Sequence, residues 1–267
     1  MNKIFSLAIK DSLNFLLADK ILYDHISYIG LIGSLNSDED ILGWSDVDFL
    51  MIINSDNDGN LTIDVLSRLK EIHKKVKSKY PFVKFSFLPH TIYDLKNYVC
   101  FEYLINYSYA RCLFSKTNKE YLTTTIQEIL KSRNLTGEVM KRYSLYHLRH
   151  LRFNLVRKYV SWDEDIKALG KLIIDNLIES TIFINAFNGN IEKSKIKSIE
   201  TAGNIILNKK FIKVLNDSYK LRSKWDRIDD ETILKYIPLA LESLELLLIK
   251  MNSLYPYQTA EELMNIK

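Results

Sequence analysis

The sequence predicts an α+β chain: a small mixed β-sheet domain over residues 1–116, then an all-helical bundle domain over residues 117–267. Three observations lead there. Short apolar runs of strand length lie before residue 117 and none lies after it. Beyond that point apolar residues recur at spacings of three and four, the period of a helix packed on one face. The two most apolar early runs, Tyr28–Ile32 and Phe49–Ile53, are joined by Gly33-Ser34, eleven residues and then Asp46-Val47-Asp48.

Residues 3–24 carry apolar positions that suit an amphipathic helix. Strands are expected near 27–32 and 46–53. Ser55-Asp56-Asn57-Asp58-Gly59-Asn60 is turn chemistry. Ile63, Leu66, Leu69, Ile72 and Val76 predict a helix over 61–79, stopped by Pro81. Residues 82–88 alternate with period two and read as a third strand, ended by Pro89. A helix over 91–105 and a short strand over 110–114 complete the first domain. Further helices are expected over 118–132, 138–160, 164–187, 203–220 and 231–253, with Pro238 just inside the last.

Composition narrows the class. The chain has 267 residues, 47% of them hydrophobic, and a net charge of +4. That is enough apolar material for a real core, and no Lys/Arg cluster is dense enough for a nucleic-acid surface. Cys100 and Cys112 lie in apolar surroundings, which suits a reducing cytoplasm better than a disulfide framework. The first residues do not read as a signal peptide, and no apolar run approaches the ~20 residues of a membrane span, so no membrane partner is expected.

The chemistry gathers at Gly33-Ser34 and Asp46-x-Asp48. Alternate residues of a strand share a face, so Asp46 and Asp48 point together while Val47 turns to the core. Two carboxylates about 7 Å apart repel unless a divalent cation sits between them. The Gly-Ser turn offers backbone N–H groups and a hydroxyl where a phosphate could rest. No Walker or Rossmann glycine loop and no zinc-type Cys/His spacing is present.

An apolar residue, Gly33-Ser34, a loop of about ten residues and then Ser45-Asp46-Val47-Asp48 on the next strand resembles the DNA polymerase beta-type nucleotidyltransferase superfamily. It looks closest to the small bacterial group that includes aminoglycoside nucleotidyltransferases. The resemblance implies Gly33, Ser34 and Ser45 as contacts to a nucleoside triphosphate, with ATP as the expected co-substrate, and Asp46 and Asp48 as ligands of Mg²⁺ and catalytic groups. It implies transfer of a nucleoside monophosphate to a hydroxyl of a small molecule, aminoglycoside-like in kind, and leaves a homodimer open.

One departure stands out. Active members carry a third carboxylate on the next strand, where this chain offers Lys84 and Ser86. Lys84 would place a cation near the carboxylates or the nucleotide. A replacement base could come from the helical domain, where Tyr143, His147 and His150 share a helical face: an imidazole accepts a hydroxyl proton near neutral pH, and the neighbouring Arg149 could hold phosphate oxygens. Two other readings fit the same residues: a catalytically degenerate copy acting as a binding, regulatory or antitoxin-like module, and nucleotidylation of a protein or RNA.

Overall fold

The computed structural model describes residues 1–37, 39–54, 60–97, 106–107, 109–116, 124–129, 138–162, 165–190, 192 and 194–254. The chain forms two compact units, Met1–Leu135 and Thr136–Lys267. The division falls beyond residue 116 because the helical segment 124–129 belongs to the first unit, where Ile126 and Ile129 are buried against Tyr28, Ile32, Leu50 and Ile52 of the sheet. The rest of the helix expected over 118–132 lies outside the described residues, as do the turn residues 55–59, positions 98–105 and Cys100.

In the first unit, α1 (Lys3–Ala18) and α2 (Lys20–His25) replace the single expected helix. Asp19 makes the break: its extended backbone ends α1, and its carboxylate accepts from Leu22 N at 3.0 Å to cap α2. There follow β1 (Ile26–Ile32), a short 3₁₀ turn (Gly33–Leu35), β2 (Val47–Ile53) and α3 (Ile63–Lys79), which Thr62 caps. Then come β3 (Phe85–His90), α4 (Ile92–Asn97) and β4 (Arg111–Ser115).

The sheet order is β3-β2-β1-β4. β1 runs antiparallel to β2 and β4, and β2 runs parallel to β3. The sequence places the third strand three residues early and ends it at Pro89. In fact Val83 N closes a turn on Tyr80 O, and Pro89 sits within the strand opposite Met51. Proline is tolerated because β3 is an edge strand.

Both faces of the sheet are covered, so β1 and β2 read as nearly unbroken apolar runs. On one face Val47, Phe49, Met51, Ile29 and Leu31 meet Phe5, Ala8 and Leu16 of α1 and Val65, Leu69 and Val76 of α3. On the other, Tyr28, Ile32, Leu50 and Ile52 meet Leu95, Tyr107, Ile126 and Ile129.

The second unit comprises α5 (Glu138–Val160), α6 (Ile166–Phe187), α7 (Lys195–Ile206), α8 (Lys209–Ser223) and α9 (Asp230–Leu254). The single helix expected over 203–220 is two: Leu207 turns left-handed at φ 53°, and Asn208 caps the new helix by accepting from Phe211 N. The apolar α6 is the axis of the bundle and packs on the other four helices. It carries a buried polar clasp, in which Thr181 and Asn185 hydrogen-bond to Ser198 Oγ at 2.7 and 3.0 Å. Trp225 is buried against Gly170 of α6. Among the described residues no helix is long and apolar enough to cross a membrane.

Gly170 tests how tightly this bundle closes. A Cβ there would stand 2.5 Å from Ile233 Cγ2 and 2.9 Å from Trp225 Cη2. Alanine gains about 1 kcal/mol of helix propensity, whereas overpacking costs about 1–3 kcal/mol. Gly170→Ala is therefore expected to lower the urea midpoint; an unchanged or raised midpoint would show that Ile233 and Trp225 yield freely.

Candidate functional site

β1 ends at Ile32 in extended backbone, and Gly33 then swings to φ +72°, a conformation that costs other residues dearly. The reversal starts the 3₁₀ turn, closed by Asn36 N donating to Gly33 O at 3.1 Å and anchored by the buried Leu35. Antiparallel pairing sets Ile32 opposite Asp48. The turn therefore emerges beside the carboxylate: a Cβ on Gly33 would lie 3.2 Å from Asp48 Oδ2.

The loop that follows is tied back on itself. Glu39 N donates to Ser34 O, and Trp44 N and Ser45 N both donate to Ile41 O. Trp44, 3% exposed, pins the loop to the core. Ser34 Oγ donates to Ser45 Oγ at 2.8 Å, and Ser45 Oγ also accepts from Ile41 N at 2.9 Å. Both hydroxyls are nearly buried. Gly33-Ser34 and Ser45, eleven residues apart, are thus joined by a direct hydrogen bond. Sequence reasoning missed the Ile41 N–H in this chain of bonds; Trp44, following Ile41 and Leu42, was a signal for an ordered loop.

Asp46 and Asp48 flank the fully buried Val47 and are both half-buried. Alternation puts Asp48 on the face of Leu50 and Ile52, at the end where that apolar layer stops. Across the parallel pairing Asp48 meets Ser86, also half-buried. Lys84 lies just before β3 with its side chain exposed, and its carbonyl accepts from Val47 N at 2.8 Å. The position opposite Asp48 is therefore a neutral hydroxyl.

Among the described residues no group of three or more His, Cys, Asp or Glu side chains could hold a metal ion. Two aspartates at the mouth of a turn rich in N–H groups nevertheless fit Mg²⁺, which binds one or two carboxylates and takes its remaining oxygens from phosphates and water.

Deeper along the same face lies a polar trio. Tyr107 donates its hydroxyl proton to Met51 O at 2.9 Å, so the 2.9 Å contact with His90 Nδ1 has the imidazole as donor. Burial holds His90 below its ordinary pKa and pushes the Tyr107 phenol well up.

The remaining sequence-predicted residues lie on α5 in the helical unit. His147 is half-buried among rings, with Tyr143 at 4.2 Å and Phe183 stacked at 5.0 Å and 8°. His150 is exposed and stacks on Tyr146 at 6.1 Å. Arg149 Nη2 donates to Asn252 Oδ1 of α9. The structure thus joins Gly33, Ser34, Ser45 and Asp48 in one site, with Asp46 next in chain, whereas His147, His150 and Arg149 belong to the bundle.

No protein-family model matches the chain, and no curated protein matches its sequence. Solved structures do. A spectinomycin adenyltransferase, AAD(9), from Enterococcus faecialis, crystallised with ATP and spectinomycin, superposes with a TM-score of 0.54 at 12% identity over 90% of this chain and 99% of that one. A nucleotidyltransferase-like protein from Exiguobacterium sibiricum gives a TM-score of 0.34 at 14% identity, covering 96% and 84%. The chain shares its fold, a small mixed sheet followed by helices, with the first of these.

Two predictions follow from the geometry. Gly33→Ala forces a left-handed alanine and crowds Asp48; it should cost about 1–2 kcal/mol in denaturant unfolding, and an unchanged midpoint would mean that the turn relaxes. His90 has a depressed pKa when folded, so the unfolded chain binds the proton first. Its contribution is full above the unfolded value near 6.5 and declines as pH falls toward the folded one. Wild type should lose urea resistance from pH 7 to 5, and His90→Asn should flatten that loss; parallel profiles would assign it elsewhere.

Proposed function

We propose that the chain is a nucleotidyltransferase that moves a nucleoside monophosphate from a nucleoside triphosphate to a hydroxyl group of a small molecule. One observation carries the reading: the register of β1 on β2 sets the Gly33-Ser34 turn against the Asp48 carboxylate. That is what a site needs if it is to hold a triphosphate and its counter-ion side by side. The fold it shares with a protein crystallised with ATP and spectinomycin supports it.

Asp46 and Asp48 would hold Mg²⁺, which when bound neutralises phosphate charge and orients the α-phosphate for in-line attack. Gly33 lets the backbone approach the triphosphate without a side chain between, and its turn aims N–H groups at the phosphate oxygens. Ser34 presents its hydroxyl beside them. Val47, fully buried, fixes the two carboxylates on one face. Lys84, exposed, offers positive charge to the nucleotide. ATP is the proposed donor and an aminoglycoside-like polyol the proposed acceptor class.

Ser86 opposite Asp48 favours one rival, a nucleotide-binding module without transfer. Pyrophosphate release from each NTP with Mg²⁺ against a panel of hydroxyl acceptors separates the two. Transfer predicts turnover in wild type and a loss of about 100-fold or more in both Asp46→Asn and Asp48→Asn, with thermal midpoints kept. Nucleotide binding without turnover on any acceptor assigns the module. Absence of both overturns the proposal.

A further inference from the structure

The solvent face of α3 carries charge that the candidate site does not use. Residues 68–84 hold seven Lys or Arg against one carboxylate, Glu71. Along the chain these cations look scattered, and folding sorts them by role. Arg68 pairs with Asp19 at 3.0 Å, Lys79 pairs with Asp11 at 2.5 Å, and Lys75 Nζ stands 3.9 Å over the Phe15 ring. Lys70, Lys74 and Lys77 remain on one helical face, all exposed, and none forms an ion pair among the described residues. The helix dipole favours cations in the last turn, which accounts for Lys77 but not for Lys70 and Lys74. Spaced i, i+4 and i+7, the three make a file about 10 Å long, with about 5–6 Å between neighbours.

Apolar and aromatic surface lies at both ends of the file. At one end Lys70 lines a groove of about 310 Å³ with Leu66, Leu69, His73, Phe87 and Pro89. His73 stands edge-on to Phe87 there, at 5.6 Å. At the other end the turn from α3 to β3 displays Phe82 at 85% exposure, the most exposed large apolar side chain among the described residues. That turn is anchored. Tyr80 donates its hydroxyl proton to Asp11 at 2.6 Å, Val83 N donates to Tyr80 O, and Val83 is buried. Phe82 is thus held out to water on a fixed stem and takes no part in the core.

We propose that this face binds single-stranded nucleic acid, with phosphates on Lys70, Lys74 and Lys77 and bases against Phe82 and the groove beside Lys70. A file of cations at this spacing suits the phosphates of an extended strand. Exposed rings take up bases whose faces a duplex keeps stacked inside. A second copy of the chain fits poorly, because it would bring the same cations against themselves. A lipid surface calls for several apolar side chains in one plane with cations around them, whereas Phe82 stands alone at the end of a row.

Binding on this face does not depend on the proposed transfer reaction, and the test uses no turnover. Anisotropy of a labelled oligo(dT) strand is measured with the full chain over a range of salt. Wild type should bind the strand more tightly than a duplex of equal length. Three phosphates held give a slope of about −2 for log K against log[salt], and Lys74→Ala should reduce it by about 0.7. Phe82→Ala should weaken binding about fivefold or more and leave the slope unchanged. Reversing Lys70, Lys74 and Lys77 together to Glu should weaken binding at least about 30-fold, while the charge-matched reversal of the exposed Lys209, Lys213 and Lys224 should stay within about twofold. Equal losses in the two triple variants would reduce the effect to overall charge and overturn the inference. Binding indifferent to Phe82→Ala, a preference for duplex, or binding to phosphatidylglycerol vesicles in place of the strand would also overturn it. So would a wild type that binds no strand at low salt, a result that leaves the nucleotide site standing.

Discussion

The pairing of β1 with β2 is the constraint on which the rest of the site depends. Ile32 lies opposite Asp48, so the residue after Ile32 must turn away at the level of the carboxylate. A slip of one residue would invert every side chain of β2, sending Val47 to the surface and both aspartates into the apolar layer. With both faces of β2 apolar, exchanging Phe49 and Met51 for Leu50 and Ile52 costs only packing; burial of the two carboxylates in the layer of Phe49 and Met51 is what makes the slip prohibitive. The hydrophobic cores on the two faces therefore set the geometry of the polar site, though neither touches its chemistry.

The same burial explains where the site can be. A sheet covered on both sides has no room for charge in mid-strand; an unpaired carboxylate there would be neutralised or would unfold the layer. Polar chemistry is pushed to the strand ends. The turn leaving β1 and the chain entering β2 share one such end, and the eleven-residue connection must return between them. Its internal bonds, Glu39 N to Ser34 O and Ile41 N to Ser45 Oγ, satisfy groups that the return would otherwise strand.

Much of this was legible in the residues. Alternation around Val47 assigns the aspartates to one face, and the glycine before Ser34 marks a turn. The apolar character of β1 and β2 marks a sheet buried on both sides. What failed to show had physical causes. Pro89 reads as a stop because proline lacks a ladder donor, yet at an edge that donor is not needed. Residues 195–206 and 209–223 form two helices because Leu207 accepts a left-handed backbone, which no side-chain pattern announces. The tyrosine–histidine trio beneath the site joins residues from distant segments, which periodicity cannot bring together.

Charge decides how such a site must operate. Asp46 and Asp48 bring two negative charges; Ser34, Ser45 and Ser86 around them are neutral hydroxyls, and Lys84 just before β3 adds a single exposed positive charge. A triphosphate adds several negative charges beside them. Two unit charges about 5 Å apart repel by roughly 1–3 kcal/mol at effective dielectrics from bulk water to the protein surface, and here several such pairs would form at once. One hydrogen bond to a charged partner contributes about 1.5–3 kcal/mol, so the turn and its serine cannot hold a bare triphosphate against both carboxylates. A cation between them converts the repulsion to attraction, and the nucleotide and its cation should bind as a unit. With a neutral Ser86 opposite Asp48, the protein's share of that neutralisation is small. In the proposed function the aspartates would thus act as a lock that admits the nucleotide only in its metal-bound form, and the hydroxyls would refine what the ion makes possible.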